Sequence, residues 1–318
     1  MQPDLSVVIP LYNEEESLPE LVAWIEKVCE EHKYSREIIL IDDGSTDNSW
    51  EVAIKLSEQF GSVKGIRFQR NYGKSPALYA GFKAAAGKVV ITMDADLQDS
   101  PDEIPELYSM IMVDGFDLVS GWKKVRYDNA VTKNLPSKLY NGVNRWITGI
   151  KLHDMNCGLK AYKRKVIKSI EVYGEMHRFI PVLAKQAGFK KIGEKVVQHR
   201  ARKYGVSKFG WERFINGFLD LLSIQFMSRF GKKPMHLFGM WGSFTFLTGF
   251  GFTSWLVIDK LMLGDRVSLT NKPAFYIALT AMVIGTLFFL TGFIAELVVR
   301  NAGDRNVYLT EEKIGWDS

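Results

Sequence analysis

Two carboxylates one residue apart, Asp94 and Asp96, are followed by Gln98 at the end of an apolar run, Val89-Val90-Ile91-Thr92-Met93. Two carboxylates and an amide oxygen form a hard, all-oxygen set that suits Mg²⁺ or Mn²⁺ holding a diphosphate. The apolar run predicts a strand buried on both faces, as in a parallel sheet. Ligand sites of open α/β sheets lie beyond the carboxyl ends of such strands. If the chain stays extended through this motif, Asp94 and Asp96 share one side and Ala95 faces away. A bare Asp-x-Asp is more often a solvated acidic turn, so the surrounding chain has to decide between the two.

Three earlier strand ends carry loops of similar character. Leu5–Pro10 predicts a strand followed by Leu11-Tyr12-Asn13-Glu14; Glu37–Ile41 ends in Asp42-Asp43-Gly44-Ser45-Thr46-Asp47; Gly65–Phe68 precedes Arg70-Asn71-Tyr72-Gly73-Lys74. Helices are expected over about 18–31, from Ser45 or Thr46 through Leu56, and over 76–86. This strand–helix alternation implies right-handed crossovers, a mainly parallel sheet, and loops gathered along one edge. A further helix is expected at 104–112 and a strand at 117–121, and 122–127 reads as a basic loop.

The 318 residues leave room for one α/β domain and an appendage. Mean hydropathy is near zero, −0.06, because charge is concentrated before residue 235 and apolar residues after it. Segments 137–147 and 211–230 have the spacing of amphipathic helices, each with a tryptophan, that lie at a membrane surface. Leu237–Ile258 carries no charge over 22 residues, about 33 Å as a helix, and Ala274–Val299 carries only Glu296. Two membrane spans joined by a short hairpin are therefore expected. A small excess of Lys and Arg on the domain side places the large domain in the cytoplasm. The net charge of +5 fits anionic lipid better than nucleic acid. Two cysteines, Cys29 and Cys157, provide no disulfide framework. The N-terminus has neither a basic n-region nor an apolar h-region, so no cleavable signal is expected.

Taken together, Val7–Glu14, Asp42–Asp47, Arg70–Lys74 and Asp94–Gln98 resemble family 2 glycosyltransferases of the GT-A fold. Asp154–Tyr162, Arg202-Lys203-Tyr204-Gly205-Val206-Ser207-Lys208 and the apolar C-terminal segments narrow the resemblance to the polyprenyl-phosphate glycosyltransferases. These include dolichol-phosphate mannose synthases and bacterial undecaprenyl-phosphate sugar transferases. The resemblance implies a GT-A domain over 1–210, a Rossmann-like α/β fold with a mainly parallel sheet. An interface helix at 211–233, spans at 237–258 and 274–299 and a cytoplasmic tail at 300–318 would follow it.

By the same resemblance, Pro10, Tyr12, Glu14 and Asp42 line a nucleoside pocket, and Lys74 neutralises donor phosphate. Asp96 and Gln98 hold the metal, with Asp94 and Ala95 beside the donor. Arg202, Ser207 and Lys208 face the donor diphosphate and acceptor phosphate, with Lys124 and Arg126 as further acceptor-phosphate candidates. Asp154 is the expected residue for orienting the acceptor or stabilising charge at the anomeric carbon. Where relatives often have Ser-Gly-Phe-Arg, this chain has Cys157-Gly158-Leu159-Lys160, which keeps the charge and loses the bidentate fork. The implied reaction is inverting transfer from a nucleotide sugar, UDP-glucose for example, to a polyprenyl phosphate. A GDP-mannose donor and a non-catalytic nucleotide-sugar-binding scaffold are the alternatives. A homo-oligomer, a tetramer as in several relatives, is implied as well. A polymerising synthase is disfavoured, because the Gln-x-x-Arg-Trp signature is missing.

Overall fold

The computed structural model describes residues 2–124, 148–200, 234–262, 268–301 and 310–316. The chain divides into two compact units, 1–221 with 306–318, and 222–305.

The first unit is an eight-stranded sheet in the order β7-β5-β6-β4-β1-β2-β3-β8. Its centre is built by strand–helix alternation. β1 (Leu5–Leu11), β2 (Arg36–Asp42), β3 (Val63–Phe68) and β4 (Val89–Thr92) pair in parallel. Helices α1 (Leu18–Glu31), α2 (Ser49–Gln59) and α3 (Lys74–Ala84) connect them. β1 and β2 are buried on both faces along almost their whole length, with apolar centres at Val7-Val8-Ile9 and Ile38–Ile41, as strands covered by crossover helices must be. α1 buries Leu18, Leu21, Val22, Ile25 and Val28 along one stripe against this sheet.

Beyond α4 (Ile104–Met112), the sheet becomes mixed. β6 (Lys160–Lys163) inserts antiparallel between β4 and β5 (Leu118–Trp122), and β7 (Ile192–Val196) pairs parallel with β5. Short helices α5 (Arg164–Lys168) and α6 (Ile180–Gln186) lie between β6 and β7. The expectation of a mainly parallel GT-A-like sheet holds, with β6 as the antiparallel insertion.

The C-terminal tail is not a simple appendage. β8 (Thr310–Ile314) pairs antiparallel with β3 and closes that edge of the sheet. Trp50 donates its indole N–H to Glu312 at 2.8 Å, and Trp316 donates to the carbonyl of Gly65 at 3.4 Å. A polar tail with alternating charge carries little strand signal of its own; pairing with β3 creates the element.

The second unit contains α7 (Pro234–Met262) and α8 (Pro273–Asn301), packed side by side. A Cβ on Gly242 would lie 2.7 Å from the carbonyl oxygen of Gly285, and one on Gly285 would lie 2.7 Å from that of Gly242. This backbone-to-backbone approach is how helices associate where surrounding lipid is as apolar as leucine. Among the described residues, one helix is long and apolar enough to cross a membrane, Pro273–Val298, with mean hydropathy 2.2. The first of the two expected spans is helical, but glycine, serine and threonine at 242–254 dilute it, and it is not shown to cross.

Candidate active site

The expected convergence of the strand-end loops is present, and hydrogen bonds hold it. Asn13, in the left-handed region at φ 57°, accepts the backbone N–H of Thr46 on its side-chain oxygen at 2.8 Å. Its own N–H donates to Ser45 Oγ at 2.9 Å. Asp42 is fully buried and accepts the N–H of Ser45 at 2.8 Å, while its second oxygen lies 3.7 Å from Arg67 Nε with no hydrogen bond. Asp43 accepts from the N–H groups of Tyr72 and Gly73 at 2.7 and 2.8 Å. Gly44 makes this latch possible: at φ 72°, a Cβ there would lie 2.5 Å from the carbonyl carbon of Arg70. Burial pushes both carboxyls, Asp42 and Asp43, above the usual carboxylate range.

The Asp94–Gln98 segment departs from the extended geometry expected of it. β4 stops at Thr92, and 95–97 form a turn with Leu97 at φ 60°. Left-handed backbone costs a leucine roughly 1–2 kcal/mol. The burial of the Ala95 and Leu97 side chains in the core offsets that cost. The turn is closed by the N–H of Gln98 donating to Asp96 at 3.2 Å. Asp96 is 8% exposed, whereas a third of the Asp94 side chain stays accessible.

Three lysines surround the acids. Lys74, at the start of α3, pairs directly with Asp94. Lys123, in the expected basic loop, is 12% exposed and pairs with the buried Asp99 at 2.7 Å. Lys160 is 3% exposed and donates to the carbonyl of Cys157. Burial alone would raise the Asp94 carboxyl, but Lys74 and Lys123 outweigh it and hold the group at about 2. Asp99 goes the other way, raised by burial despite Lys123 and pushed further by Asp94 and Asp96. Burial also pushes the Cys157 thiol up to about 12 and the Lys160 ammonium down.

A small cleft opens beside Asp94, walled by Pro10, Lys74, Asn156, Lys160 and His177. Gly158 lies so close that a Cβ there would meet the Asp94 carboxylate at 2.5 Å. Asp154 is buried, accepts the N–H of Asn156 at 3.1 Å, and acts electrostatically on Lys160 together with Asp94. Tyr12 and Glu14 occupy the loop after β1, where Glu14 accepts from the Ser17 hydroxyl at 2.8 Å. Lys124 is exposed, with its ammonium 5.8 Å from the Trp122 ring centre. Arg126, Arg202, Ser207 and Lys208 lie outside the described residues, as do the amphipathic segments at 137–147 and 211–230.

His177, Asp99 and Lys123 were not foreseen as site residues. A lone histidine in Gly174-Glu175-Met176-His177-Arg178-Phe179 carries no spacing that points at β4, and only the tertiary fold brings it there.

Residues 6–171 match the profile of glycosyl transferase family 2. The chain belongs to that family. It is 36% identical over 304 residues to a dodecaprenyl-phosphate galacturonate synthase of Rhizobium johnstonii, covering 93% of this chain and 88% of the relative. It is also 36% identical over 301 residues to the undecaprenyl-phosphate 4-deoxy-4-formamido-L-arabinose transferase of Salmonella choleraesuis, covering 94% and 89%. Among solved structures, glucosyl-3-phosphoglycerate synthase of Mycobacterium tuberculosis shares the fold. In complex with UDP it superposes with a TM-score of 0.54 at 20% identity, over 71% of this chain and 80% of that one. The complex with Mn²⁺, UDP and glucosyl-3-phosphoglycerate gives 0.54 at 21% identity, over 72% and 80%. Membership makes this chain a glycosyltransferase.

Proposed function

We propose that this glycosyltransferase moves a sugar from a nucleoside diphosphate sugar, a UDP-sugar, onto the phosphate of a polyprenyl phosphate at a membrane surface. The observation that carries this reading is Asp94 at the β4 end, paired with Lys74 and sharing a cleft with Lys160, with Asp96 two residues on in the same turn. The relatives named above act on polyprenyl phosphates, which supports the acceptor.

Among the described residues, no three His, Cys, Asp or Glu side chains gather as a closed metal site. A carboxylate pair with Gln98 instead fits a hard ion whose remaining positions go to diphosphate oxygens and water. Asp96 and Gln98, with Asp94, would hold Mg²⁺ or Mn²⁺. When bound, the ion neutralises the charge that develops on the departing nucleoside diphosphate. Lys74 adds a second positive charge at the same diphosphate. Pro10, Tyr12 and Glu14 would line the nucleoside, with the buried Asp42 supporting their loop through Ser45.

A phosphate monoester has its second pKa near ~6, so the acceptor is substantially dianionic at neutral pH and already nucleophilic. A strong general base is then dispensable. Asp154 orients the acceptor or stabilises positive charge at the anomeric carbon, and Arg202, Ser207 and Lys208 receive its phosphate, with Lys124 and Arg126 as outer contacts. Single displacement inverts the anomeric configuration.

The tail supports a membrane topology. The chain leaves the sheet-containing unit, passes through α7 and α8, and returns as a strand of the same sheet. A chain that begins and ends on one side of a bilayer crosses it an even number of times. If α8 crosses, α7 must cross as well despite its lower hydropathy. The positive-inside bias then places the sheet in the cytoplasm, at the plasma membrane.

The test is transfer by the full-length protein in lipid. Radiolabelled UDP-glucose, UDP-galactose, UDP-galacturonic acid and GDP-mannose are offered with undecaprenyl phosphate. Label should appear in the organic phase with one of the UDP-sugars. No transfer from any donor overturns the reading; transfer only from GDP-mannose overturns the assignment of the nucleotide.

A further inference from the structure

The contacts around His177 join its backbone and its ring to one hydroxyl. Its backbone N–H donates to Ser75 Oγ at 3.0 Å, and the same Oγ lies 3.1 Å from His177 Nδ1. Ser75 is fully buried at the first turn of α3. With one lone pair of its hydroxyl filled by the backbone N–H, Ser75 has Nδ1 as the acceptor for its own proton. We assign Nδ1 as the nitrogen that accepts the Ser75 hydroxyl proton, an arrangement that leaves the ring proton on Nε2. The other charged group near Nδ1 is Glu175, at 4.0 Å, beyond hydrogen-bonding reach and largely exposed.

The ring stays uncharged. Burial, Lys74, Arg178 and Lys160 all disfavour the imidazolium, and Asp94 alone favours it. His177 thus enters the cleft wall as a neutral donor, 14% exposed, alongside Asp94, Asn156 and Lys160. A neutral donor of fixed direction suits a sugar hydroxyl, whereas the neighbouring lysines suit phosphate.

We propose that His177 is a specificity-determining residue: its imidazole, held in one tautomer by Ser75, donates Nε2–H to an oxygen of the donor sugar in the cleft beside Asp94. Ser75 is a positioning residue that acts through His177. This assignment rests on the nucleotide-sugar reading of the same cleft.

The experiment uses full-length wild type, His177→Ala, His177→Gln, Ser75→Ala and the Ser75→Ala/His177→Ala double variant in lipid. UDP affinity is measured by calorimetry with Mn²⁺, and kcat/KM is measured for UDP-glucose, UDP-galactose and UDP-galacturonic acid with undecaprenyl phosphate. His177→Ala should bind UDP within about twofold of wild type. It should lose about 10- to 100-fold in kcat/KM for the best donor, the loss expected for one hydrogen bond to a substrate hydroxyl. Its preference among the three sugars should flatten. His177→Gln, whose amide can reach the Nε2 position, should recover part of the loss, and the double variant should be no worse than His177→Ala.

Unchanged kcat/KM in His177→Ala overturns the assignment. So does a uniform loss across all donors accompanied by lost UDP affinity, which marks a structural role. Wild-type protein that binds UDP but transfers none of the sugars removes the functional reading itself, and this assignment with it.

Discussion

Two pairs of aspartates end two parallel strands that flank β1 in one sheet, and they do opposite things. Asp42 and Asp43, after β2, point into the protein: between them they accept the backbone N–H groups of Ser45, Tyr72 and Gly73. Their carboxyls titrate above the ordinary range because burial dominates, with no ammonium close enough to outweigh it. Asp94 and Asp96, after β4, stand at a turn whose apolar residues are buried; Asp94 faces Lys74 and a cleft, and Asp96 accepts the N–H of Gln98. There the lysines outweigh burial and hold Asp94 at about 2. The first pair is held chiefly by backbone N–H groups; in the second, Asp94 is held by side-chain cations beside a cleft.

The contrast can be broken most severely at Asp96. Asp96→Ala should lower glycosyl transfer by about 10³-fold or more, as loss of a ligand to catalytic charge does, with little change in thermal stability. Turnover assays beside a melting curve check both halves; transfer within tenfold of wild type would make this pair no more than a turn. Next in size, Gly158→Ala drives a methyl group into the Asp94 carboxylate. Displacing a site group by about 1 Å costs on the order of 10²-fold in rate. Steady-state kinetics should show the loss in kcat, again with the fold intact.

Asp43→Asn should do the reverse, affecting stability first. One of its two backbone donors would face an amide NH₂ in place of an oxygen, at about 1–3 kcal/mol. A lowered melting temperature is expected, together with partial loss of donor binding as the loop carrying Lys74 loosens. The smallest effect separates the pairs by sign. A carboxyl held below its unfolded value of 3.8 contributes stability above that pH and loses it as pH falls towards 2. A raised carboxyl contributes fully below 3.8 and loses its contribution as pH rises through its folded value. The melting-temperature gap between wild type and Asp94→Asn should therefore narrow as pH falls from 3.8 towards 2, while the gap to Asp43→Asn widens earlier, as pH falls through the raised folded value to 3.8, and then stays constant. Gaps that move together would show that the two pairs share one environment.

Much of the sheet was legible in the sequence because parallel strands covered on both faces are near-continuous apolar runs. Val7-Val8-Ile9 and Ile38–Ile41 leave little choice, and the stripe of α1 follows from its spacing. The acidic and glycine-bearing loops after β1, β2 and β4 could be placed at one edge by topology alone. What sequence could not supply was anything that exists only through a tertiary partner. The turn at Leu97 is left-handed because its side chain has a core to enter, and no local rule favours that at leucine. Lys123 reads as part of a basic loop until Asp99 is seen beneath it, and β8 reads as a polar tail until β3 offers an edge. His177 reaches the cleft through the packing of the segment ahead of α6 on α3.

The central claim is that the turn after β4 holds a divalent ion together with the donor's diphosphate. Electron paramagnetic resonance of Mn²⁺, titrated into full-length protein with saturating UDP, addresses it directly. Wild type should bind one ion per chain in a UDP-dependent manner, and Asp96→Ala should leave the ion in solution while Asp43→Asn retains it. Equal Mn²⁺ binding by wild type and Asp96→Ala would contradict the account.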